Sequence, residues 1–552
     1  MPSRVGTFSR IYGLGSIYAK TLRDSRLAFI VVAGLLGGLM LGVGGAFASE
    51  FSTPQARHEI AALIDSLPPI LLGLTGKIHN VETLGGYMTF KYGPYFVFIA
   101  GLWSILALSG TLAGEARRGS LDLVAATPHG QRQIAVEKLG AHLTAMALAM
   151  AILGLAAWIA GNAFARLPGD EISLAAAASY ALGTGLLALA SGSVAFALAP
   201  LLGRAPAAAI AAAVMIGGYL LQSYSASVPA FAGLASLTWF GWTSGHAPLS
   251  GLYDWPSLIP VAAVAAALLV VGVELFARRD VGATASLRTP ALPGWALGDG
   301  GPIRRSLAER LPAALGWGIG LGLFAFVMAA ASGSLAGALD GLSPQTRQIF
   351  QNVLPQFDLT TAGGFMQLVF MELGLIVAGF AAAALVGGWA SDETSGRLEM
   401  LLSTPMSPAA WALRSGLGLF FAVAILTAVL AVAVGAGALL AGSDPLTPMA
   451  GSLMLGLYAA ALVGIGMAVG GLVRTSLAAE VVALIVVATF LVDLLAPPFH
   501  WPDWVHQLAI TAHLGQPLVG VWDLVGIGLC LALAVGGLLL GALGMRRRDV
   551  AR

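Results

Sequence analysis

Apolar residues in this chain run in long stretches interrupted by short polar segments. Crossing a bilayer core takes about 20 apolar residues per helix, because each residue adds roughly 1.5 Å of rise and every backbone group must be satisfied within the helix. Twelve stretches meet that requirement, at approximately 27–48, 92–113, 143–165, 173–200, 205–222, 257–277, 312–332, 365–390, 415–441, 449–472, 476–495 and 523–544. The fifth follows directly on Pro200 and Arg204, so a tight reversal must separate it from the fourth. Ala46-Phe47-Ala48 resembles a signal-peptidase site. The apolar run before it is longer than the 7–15 residues of a signal core, and 27–48 reads as a retained first span.

The pattern repeats. Thr83-Leu84-Gly85-Gly86-Tyr87-Met88 returns as Thr361-Ala362-Gly363-Gly364-Phe365-Met366 before the second span of each half. Gly119-Ser120-Leu121-Asp122 with Thr127-Pro128 returns as Gly396-Arg397-Leu398-Glu399 with Thr404-Pro405. Pro248-Leu249-x-Gly251-x-x-Asp254 returns as Pro517-Leu518-x-Gly520-x-x-Asp523 before each last span, and Arg278-Arg279-Asp280-Val281 as Arg547-Arg548-Asp549-Val550 after it. The matches keep their order at offsets of 269 to 278. Six spans per half is an even number, so both halves insert in the same sense, a parallel repeat about an axis along the membrane normal. The expected organisation is an amphipathic leader (1–26), a first six-helix half (27–281), a Gly/Pro-rich linker (282–303) and a second six-helix half (304–552).

Composition agrees. Of 552 residues, 58% are hydrophobic and 10% charged, with a mean hydropathy of +0.86. Soluble domains carry roughly 25% charged residues, so an ordinary water-soluble protein is excluded. The 72 glycines suit close helix packing in lipid rather than disorder. A net charge of +1 excludes a nucleic-acid binder that relies on bulk positive charge, and the single Cys530 excludes a disulfide framework or a multi-cysteine metal site. With both termini on one side, that side carries 23 of the 28 Lys and Arg, including the loop residues Arg132 and Lys138. Only Arg57, Lys77, Lys91, Arg166 and Arg347 lie opposite. Basic loops stay inside. The chain is therefore expected to be a multi-pass protein of the cell membrane with both termini cytoplasmic.

The inner loop between the second and third spans of each half is the most informative segment. It reads Glu115-Ala116-Arg117-Arg118-Gly119-Ser120-Leu121-Asp122 up to Thr127-Pro128, then Asp392-Glu393-Thr394-Ser395-Gly396-Arg397-Leu398-Glu399 up to Thr404-Pro405. Leu121, Val124 and Ala125, like Leu398, Leu401 and Leu402, fall at helical spacing, and a proline ends each pattern. A short amphipathic helix follows, with carboxylates at its start and an apolar face free to dock. Such a helix could simply float among lipid headgroups; its occurrence at two symmetric positions favours docking.

An acidic residue, Gly, Leu, a second acidic residue and Thr-Pro between the second and third of six spans resembles the permeases of ABC-2-type transporters. The resemblance covers essentially the whole chain. The double length and the Ala/Gly richness are similar to actinobacterial antibiotic and multidrug exporters of the tetronasin-type or polyketide-antibiotic group. In that family the loop is a coupling helix that inserts into a groove of a cytoplasmic ATPase. The resemblance thus implies coupling roles for Glu115, Gly119, Leu121, Asp122, Thr127 and Pro128, and for Asp392, Glu393, Gly396, Leu398, Glu399, Thr404 and Pro405. It also implies an all-α fold of two six-helix ABC-2-type halves, and export of amphipathic small molecules. One departure is that Pro405 is followed by Met406-Ser407-Pro408 and not by a basic residue. The leader, with Ile11, Leu14, Ile17, Tyr18 and Leu22 among Arg10, Lys20 and Arg23, reads either as a lipid-anchored interfacial helix or, by resemblance, as a second ATPase contact.

No G-x-x-x-x-G-K-[ST] loop occurs; Gly76-Lys77-Ile78 comes nearest and lacks the first glycine and the Ser/Thr. The chain is expected to be non-catalytic and to bind no cofactor, with ATP and Mg held by two copies of a partner ATPase. An ion-driven secondary transporter of twelve spans remains the alternative, since it too can have parallel six-span halves. A lipid-modifying enzyme fits less well, because Asp65, Asp170, Asp254, Asp340, Asp358, Asp503 and Asp523 do not converge in sequence on an acid–base pair.

Glu274, Glu372 and Glu480 fall inside spans, where carboxylates are functional candidates by default. Glu274 is placed to pair with Arg278 at i,i+4, and Glu480 to snorkel toward the surface. Glu372, beside Phe370 and Met371, reads equally as a substrate-pathway residue or as a hydrogen-bonded structural one. Trp239, Phe240, Trp242, Tyr253, Phe499, Trp501, Trp504 and Trp522 precede the last spans and read as interface aromatics or as re-entrant caps of the pathway. His500, His506 and His513 lack a carboxylate cluster at metal spacing, so no metal site is expected.

Overall fold

The computed structural model describes residues 15–66, 79–112, 130–225, 229–278, 300–340, 362–496 and 501–547. Among these, twelve helices are long and apolar enough to cross a membrane, and the only sheet is a two-residue β-ribbon. The protein is an all-α polytopic membrane protein. It divides into two compact units, Met1–Leu287 and Arg288–Arg552.

In the first unit a short helix α1 (Ile17–Asp24) precedes the spans α2 (Arg26–Glu50), α4 (Leu84–Thr111), α5 (Gln131–Ala163), α6 (Leu174–Leu202), α7 (Arg204–Ser223) and α8 (Trp255–Ala277), with α3 (Pro54–Ser66) between the first two. Local chemistry sets the starts. Ser16, Thr83 and Ser173 each accept a hydrogen bond from the backbone N–H three residues on, the N-cap arrangement that satisfies one orphan donor of a first turn. The reversal foreseen between the fourth and fifth spans takes a single residue, Gly203, at φ 83°. Lys138, counted above with the loop residues, instead lies inside α5 and is buried, because that helix begins at Gln131.

The second unit repeats the scheme with α9 (Pro302–Asp340), α10 (Ala362–Val369), α11 (Met371–Thr394), α12 (Arg397–Leu402), α13 (Pro408–Leu440), α14 (Leu446–Leu472), α15 (Thr475–Leu495) and α16 (Leu524–Arg547). Here leader and first span are one 39-residue helix, α9, which begins inside the segment expected to be linker. The eighth apolar stretch is two helices, broken at Phe370.

Small residues decide how closely the helices approach. A Cβ on Gly471 would overlap the backbone of Gly541, one on Gly544 the backbone of Gly471, and one on Gly537 the backbone of Gly464. Helices α14 and α16 therefore touch backbone to backbone, the packing that stands in for a hydrophobic driving force where lipid is the solvent.

The last spans start identically in both units. Pro248–Ser250 and Pro517–Val519 are 3-10 turns closed by Gly251 and Gly520, each at φ 83°, a left-handed conformation that glycine takes without steric cost. The flanking bridges, Ala247 to Leu252 and Gln516 to Val521, are 269 residues apart. Asp254 then accepts from Ser257 N–H, and Asp523 from the Val525 and Gly526 N–H groups.

Candidate functional site

The residues singled out in the second inner loop occupy the end of the second unit where α11 finishes and α13 and α15 begin. Helix α11 runs to Thr394. Gly396 takes a left-handed conformation (φ 73°) that turns the chain, and α12 follows as six residues. It stops three residues short of Pro405, as a residue before proline disfavours the helical region. Ser407 then caps α13, accepting from Ala410 N–H at 3.2 Å.

Two expectations for this loop need correction. The carboxylates foreseen at the start of the amphipathic helix belong to the last turn of α11 and turn inward. Asp392 accepts from Arg310 Nη2 at 3.2 Å, and Glu393 accepts from Thr475 Oγ1 at 2.7 Å. The apolar face is not free either. Leu398 is fully buried in its own unit, and Leu401 and Leu402 are half-buried. Burying that face against the protein removes apolar area from water, at roughly 25 cal/mol per Å², so the helix is held down by the side expected to dock. It presents Arg397, Glu399 and Met400 instead, followed by Ser403, Thr404 and Pro405.

Beside α12 lies a cross-linked layer that sequence reasoning missed. Trp389 on α11 and Trp411 on α13, both buried, stack at 5.3 Å with 19° between their planes. Trp389 Nε1 donates to Ser415 Oγ at 2.9 Å, and Ser306 Oγ on α9 donates to the Ser415 carbonyl at 2.6 Å. Arg310 donates to the carbonyls of Ser306 and Gly388 and to Glu309, tying α9 to α11. Trp389 falls one residue inside the end of its predicted span and Trp411 four residues before the start of the next, so nothing in their spacing set them apart from ordinary interface tryptophans. A cavity of about 370 Å³ opens beside this layer, with Asp392, Thr404 and Met406 among its lining residues.

The corresponding first-half residues, Glu115, Gly119, Leu121, Asp122, Thr127 and Pro128, lie outside the described residues. Their neighbourhood is visible. Leu112 and Ile134, 277 residues before Trp389 and Trp411, sit in an apolar cluster with Ile17 of the leader, Phe196 and Phe276. The leader helix packs on α5: Tyr18 N–H donates to Glu137 at 3.1 Å and Tyr18 Oη to Thr144 at 2.9 Å. Nearby, Glu274 meets Arg132 at 2.7 Å and its i,i+4 neighbour Arg278 only at 3.8 Å, so the closer partner comes from another helix.

At the opposite end the structure joins motifs far apart in sequence. In both units the first glycine of the repeated Gly-Gly pair lies against the repeated Pro-Leu turn. A Cβ on Gly85 would overlap the Leu249 carbonyl oxygen, and one on Gly363 the Leu518 carbonyl oxygen. Gln367 further accepts from Leu518 N–H at 3.1 Å, and Asn80 donates to the Ser250 carbonyl at 2.8 Å.

The outer acids, scattered in sequence, include one member of a buried ion pair. Asp170 and Arg57, both almost fully inaccessible, form a bidentate contact in which Nη1 meets Oδ1 at 2.5 Å and Nη2 meets Oδ2 at 2.9 Å. Asp170 also accepts from the N–H groups of Leu84, Arg166 and Leu167, while Arg57 donates to the carbonyls of Phe51 and Glu82 and lies 4.6 Å over Phe47. Desolvation by burial pushes the Asp170 carboxyl up. The Arg57 guanidinium and three backbone N–H donors outweigh it and hold the carboxyl at about 2.

Glu372, Met371 and Phe370 do not share a face. Phe370 and Met371 are buried, with Phe370 at 5.4 Å from the Phe324 ring, whereas Glu372 is exposed in the first turn of α11. The aromatics before the last spans also divide: Trp239 and Phe240 are core residues packed on Tyr219, while Tyr253, Trp501, Trp504 and Trp522 are exposed. Asp493, an intramembrane acid beyond the three noted above, accepts from Thr511 at 2.6 Å and lies 3.6 Å from His506. In the first unit, His142 and Ser104 pair at 3.1 Å inside the bundle. Among the described residues no cluster of His, Cys, Asp and Glu could hold a metal ion.

Residues 306–546, nearly the whole of the second unit, match the family described as multidrug efflux system permease Rv1217c, C-terminal domain. No curated protein matches the chain. The family match, together with twelve apolar helices, supports a multi-pass membrane permease for drug efflux.

Proposed function

We propose that this chain is the membrane-spanning permease of an ATP-driven, ABC-2-type exporter of amphipathic small molecules, including antibiotics. Two copies of a separate cytoplasmic ATPase would bind ATP and Mg. The inner-loop motif of each unit would receive their movement, which places both termini in the cytoplasm. The observation that carries this reading is α12. A six-residue helix that exposes Arg397, Glu399 and Met400 while burying Leu398, next to the stacked Trp389 and Trp411, is a surface suited to transmit force. Four spans converge beneath or beside it: α9 through Ser306 and Arg310, α11 through Trp389, α13 through Ser415 and α15 through Thr475. The same motif stands 277 residues earlier in the first unit, which is why two ATPase copies are expected. Apolar spans with few charges suit lipophilic cargo.

The test is a pull-down of the purified permease with a candidate partner ATPase, followed by hydrolysis assays on the complex. Met400 is 67% exposed, so Met400→Asp should leave stability within about 0.5 kcal/mol. It should weaken ATPase association about tenfold, or ~1.4 kcal/mol. Association unaffected by Met400→Asp and by Glu399→Lys together would remove α12 from the contact. Transport that persists without ATP and collapses with the proton gradient would favour the secondary-transporter reading.

A further inference from the structure

At the end of the second unit opposite α12, residues 501–514 connect α15 to α16 and are held by contacts of two kinds. Toward α16 the hold is made by backbone. A Cβ on Gly526 would overlap the His513 carbonyl oxygen, and Gly515–Gln516 pairs with Val521–Trp522. Toward α15 the side-chain contacts are polar. Thr511 Oγ1 donates to Asp493 Oδ2 at 2.6 Å, and His506 Nε2 lies 3.6 Å from Asp493 Oδ1. The one-turn helix that carries His506, Asp503–His506, has no buried residue, so little apolar area holds it down. Asp493 Oδ1 is itself buried and accepts no hydrogen bond. An unsatisfied buried carboxylate oxygen is costly, and a slight closure would let the imidazole donate to it. A neutral imidazole can make that bond; the imidazolium makes it charge-assisted, and such bonds are roughly twice as strong.

We propose that His506 and Asp493 form a proton-controlled latch, which holds residues 501–514 on α15 while the histidine is charged and lets the Asp503–His506 turn lift when it is neutral. Histidine side chains gain their charge as pH falls from about 8 to about 5, so the latch tightens over that interval and loosens as pH rises. Acid strong enough to protonate Asp493 removes the attraction again. The neighbouring groups do not share this titration. Tyr458 of α14 is buried within electrostatic reach of Asp493, with Cys530 of α16 close to it, and both residue types ordinarily change charge at higher pH than histidine. His513 Nε2 lies 2.9 Å from the Gln507 carbonyl, which only accepts, so it carries a proton in either charge state. Asp523 is occupied by the Val525 and Gly526 N–H groups, and Asp503 is exposed to water. The latch belongs to the second unit alone. At the 269-residue offset of the Pro-Leu turns, Tyr224 and Leu237 stand where Asp493 and His506 do, and the first unit fixes the corresponding segment by burying Trp239 and Phe240. The inference is independent of both cargo and energy source.

The test is hydrogen exchange of the full-length protein in nanodiscs at about pH 8 and about pH 5.5, either side of the histidine range, with each rate corrected for the intrinsic exchange at that pH. The Val505, Gln507, Leu508 and Ala509 N–H groups donate to carbonyls three or four residues back, so they report whether the turn holds. Their protection should rise about fivefold on acidification, as the gain of one partly exposed ion pair allows, while residues 229–243 of the first unit stay constant. His506→Gln should abolish the rise, and so should Asp493→Asn. His500→Gln and His513→Gln, at the neighbouring histidines, should keep it. The His506 side chain is 47% exposed, so His506→Gln folds and keeps the test decisive if Asp493→Asn does not. Equal protection at the two pH values in the wild type, or a rise that survives His506→Gln, overturns the latch. Neither ATP nor a partner enters the measurement, so its outcome is separate from that of the ATP-driven reading.

Discussion

At the residue scale the first unit depends on one buried charge pair. Removing one partner of such a pair leaves an uncompensated charge in a dry site and costs about 3–5 kcal/mol. Asp170→Asn should therefore lower the unfolding temperature of the purified protein markedly, and the double variant Arg57→Leu/Asp170→Leu should recover much of the loss. The pH dependence has a definite sign. The Asp170 carboxyl is depressed from 3.8 to about 2 in the folded protein, so its contribution is present above pH 4 and disappears as pH falls toward 2. The stability gap between wild type and Asp170→Asn, measured by thermal unfolding across that window, should close on acidification; a constant gap would contradict the assignment. By contrast, the exposed Arg132–Glu274 pair should contribute under about 1 kcal/mol, checked by Glu274→Gln in the same assay. Neither partnership was legible in the sequence. Arg57 and Asp170 are 113 positions apart, and Arg132 and Glu274 are 142 apart; no spacing rule reaches that far, so the local i,i+4 neighbour Arg278 was read as the main partner of Glu274.

At the scale of elements, glycine placement sets helix separation. Gly537→Ala and Gly471→Ala each put a methyl group into a facing backbone, which has no rotamer to yield, and overpacking of this kind costs roughly 1–3 kcal/mol. Gly536→Ala, one residue away with nothing near its Cβ position, should be neutral or slightly stabilising in the same thermal scan. Equal effects at 536 and 537 would mean that α14 and α16 are not packed as described. The spans themselves were legible because length and hydropathy determine them. Their ends were less so: α5 and α13 extend about seven to twelve residues beyond the apolar cores, since charged residues such as Arg132 and Arg414 are compatible with helix once they reach the headgroup level. The orientation of α12 was misread for a related reason. Periodicity shows that Leu398, Leu401 and Leu402 share a face, but not whether that face meets a partner or the helix's own unit.

At the scale of the whole molecule, the repeat is the most informative feature of the sequence, and its motifs turn out to touch. Gly85 against the Leu249 turn and Gly363 against the Leu518 turn are one contact made twice, joining the start of the second span to the start of the sixth in each unit. Only glycine permits that approach, so Gly363→Ala should shift the turn and weaken the far end of the second unit, seen as faster hydrogen exchange over 515–522 with the rest of the unit unchanged. The asymmetry between units was also in the sequence, in Trp389 and Trp411 against Leu112 and Ile134, but it acquires meaning only once the first pair is seen as a ring stack and the second as part of an apolar cluster. Energy coupling is the central claim, and a reconstitution tests it most directly. Proteoliposomes holding the permease alone, or the permease with its ATPase, are given ATP or an imposed proton gradient, and movement of a fluorescent amphipathic solute is followed. Solute should move only when permease, ATPase and ATP are all present. Solute movement by the isolated permease under the proton gradient, or ATP hydrolysis by it, would contradict the account.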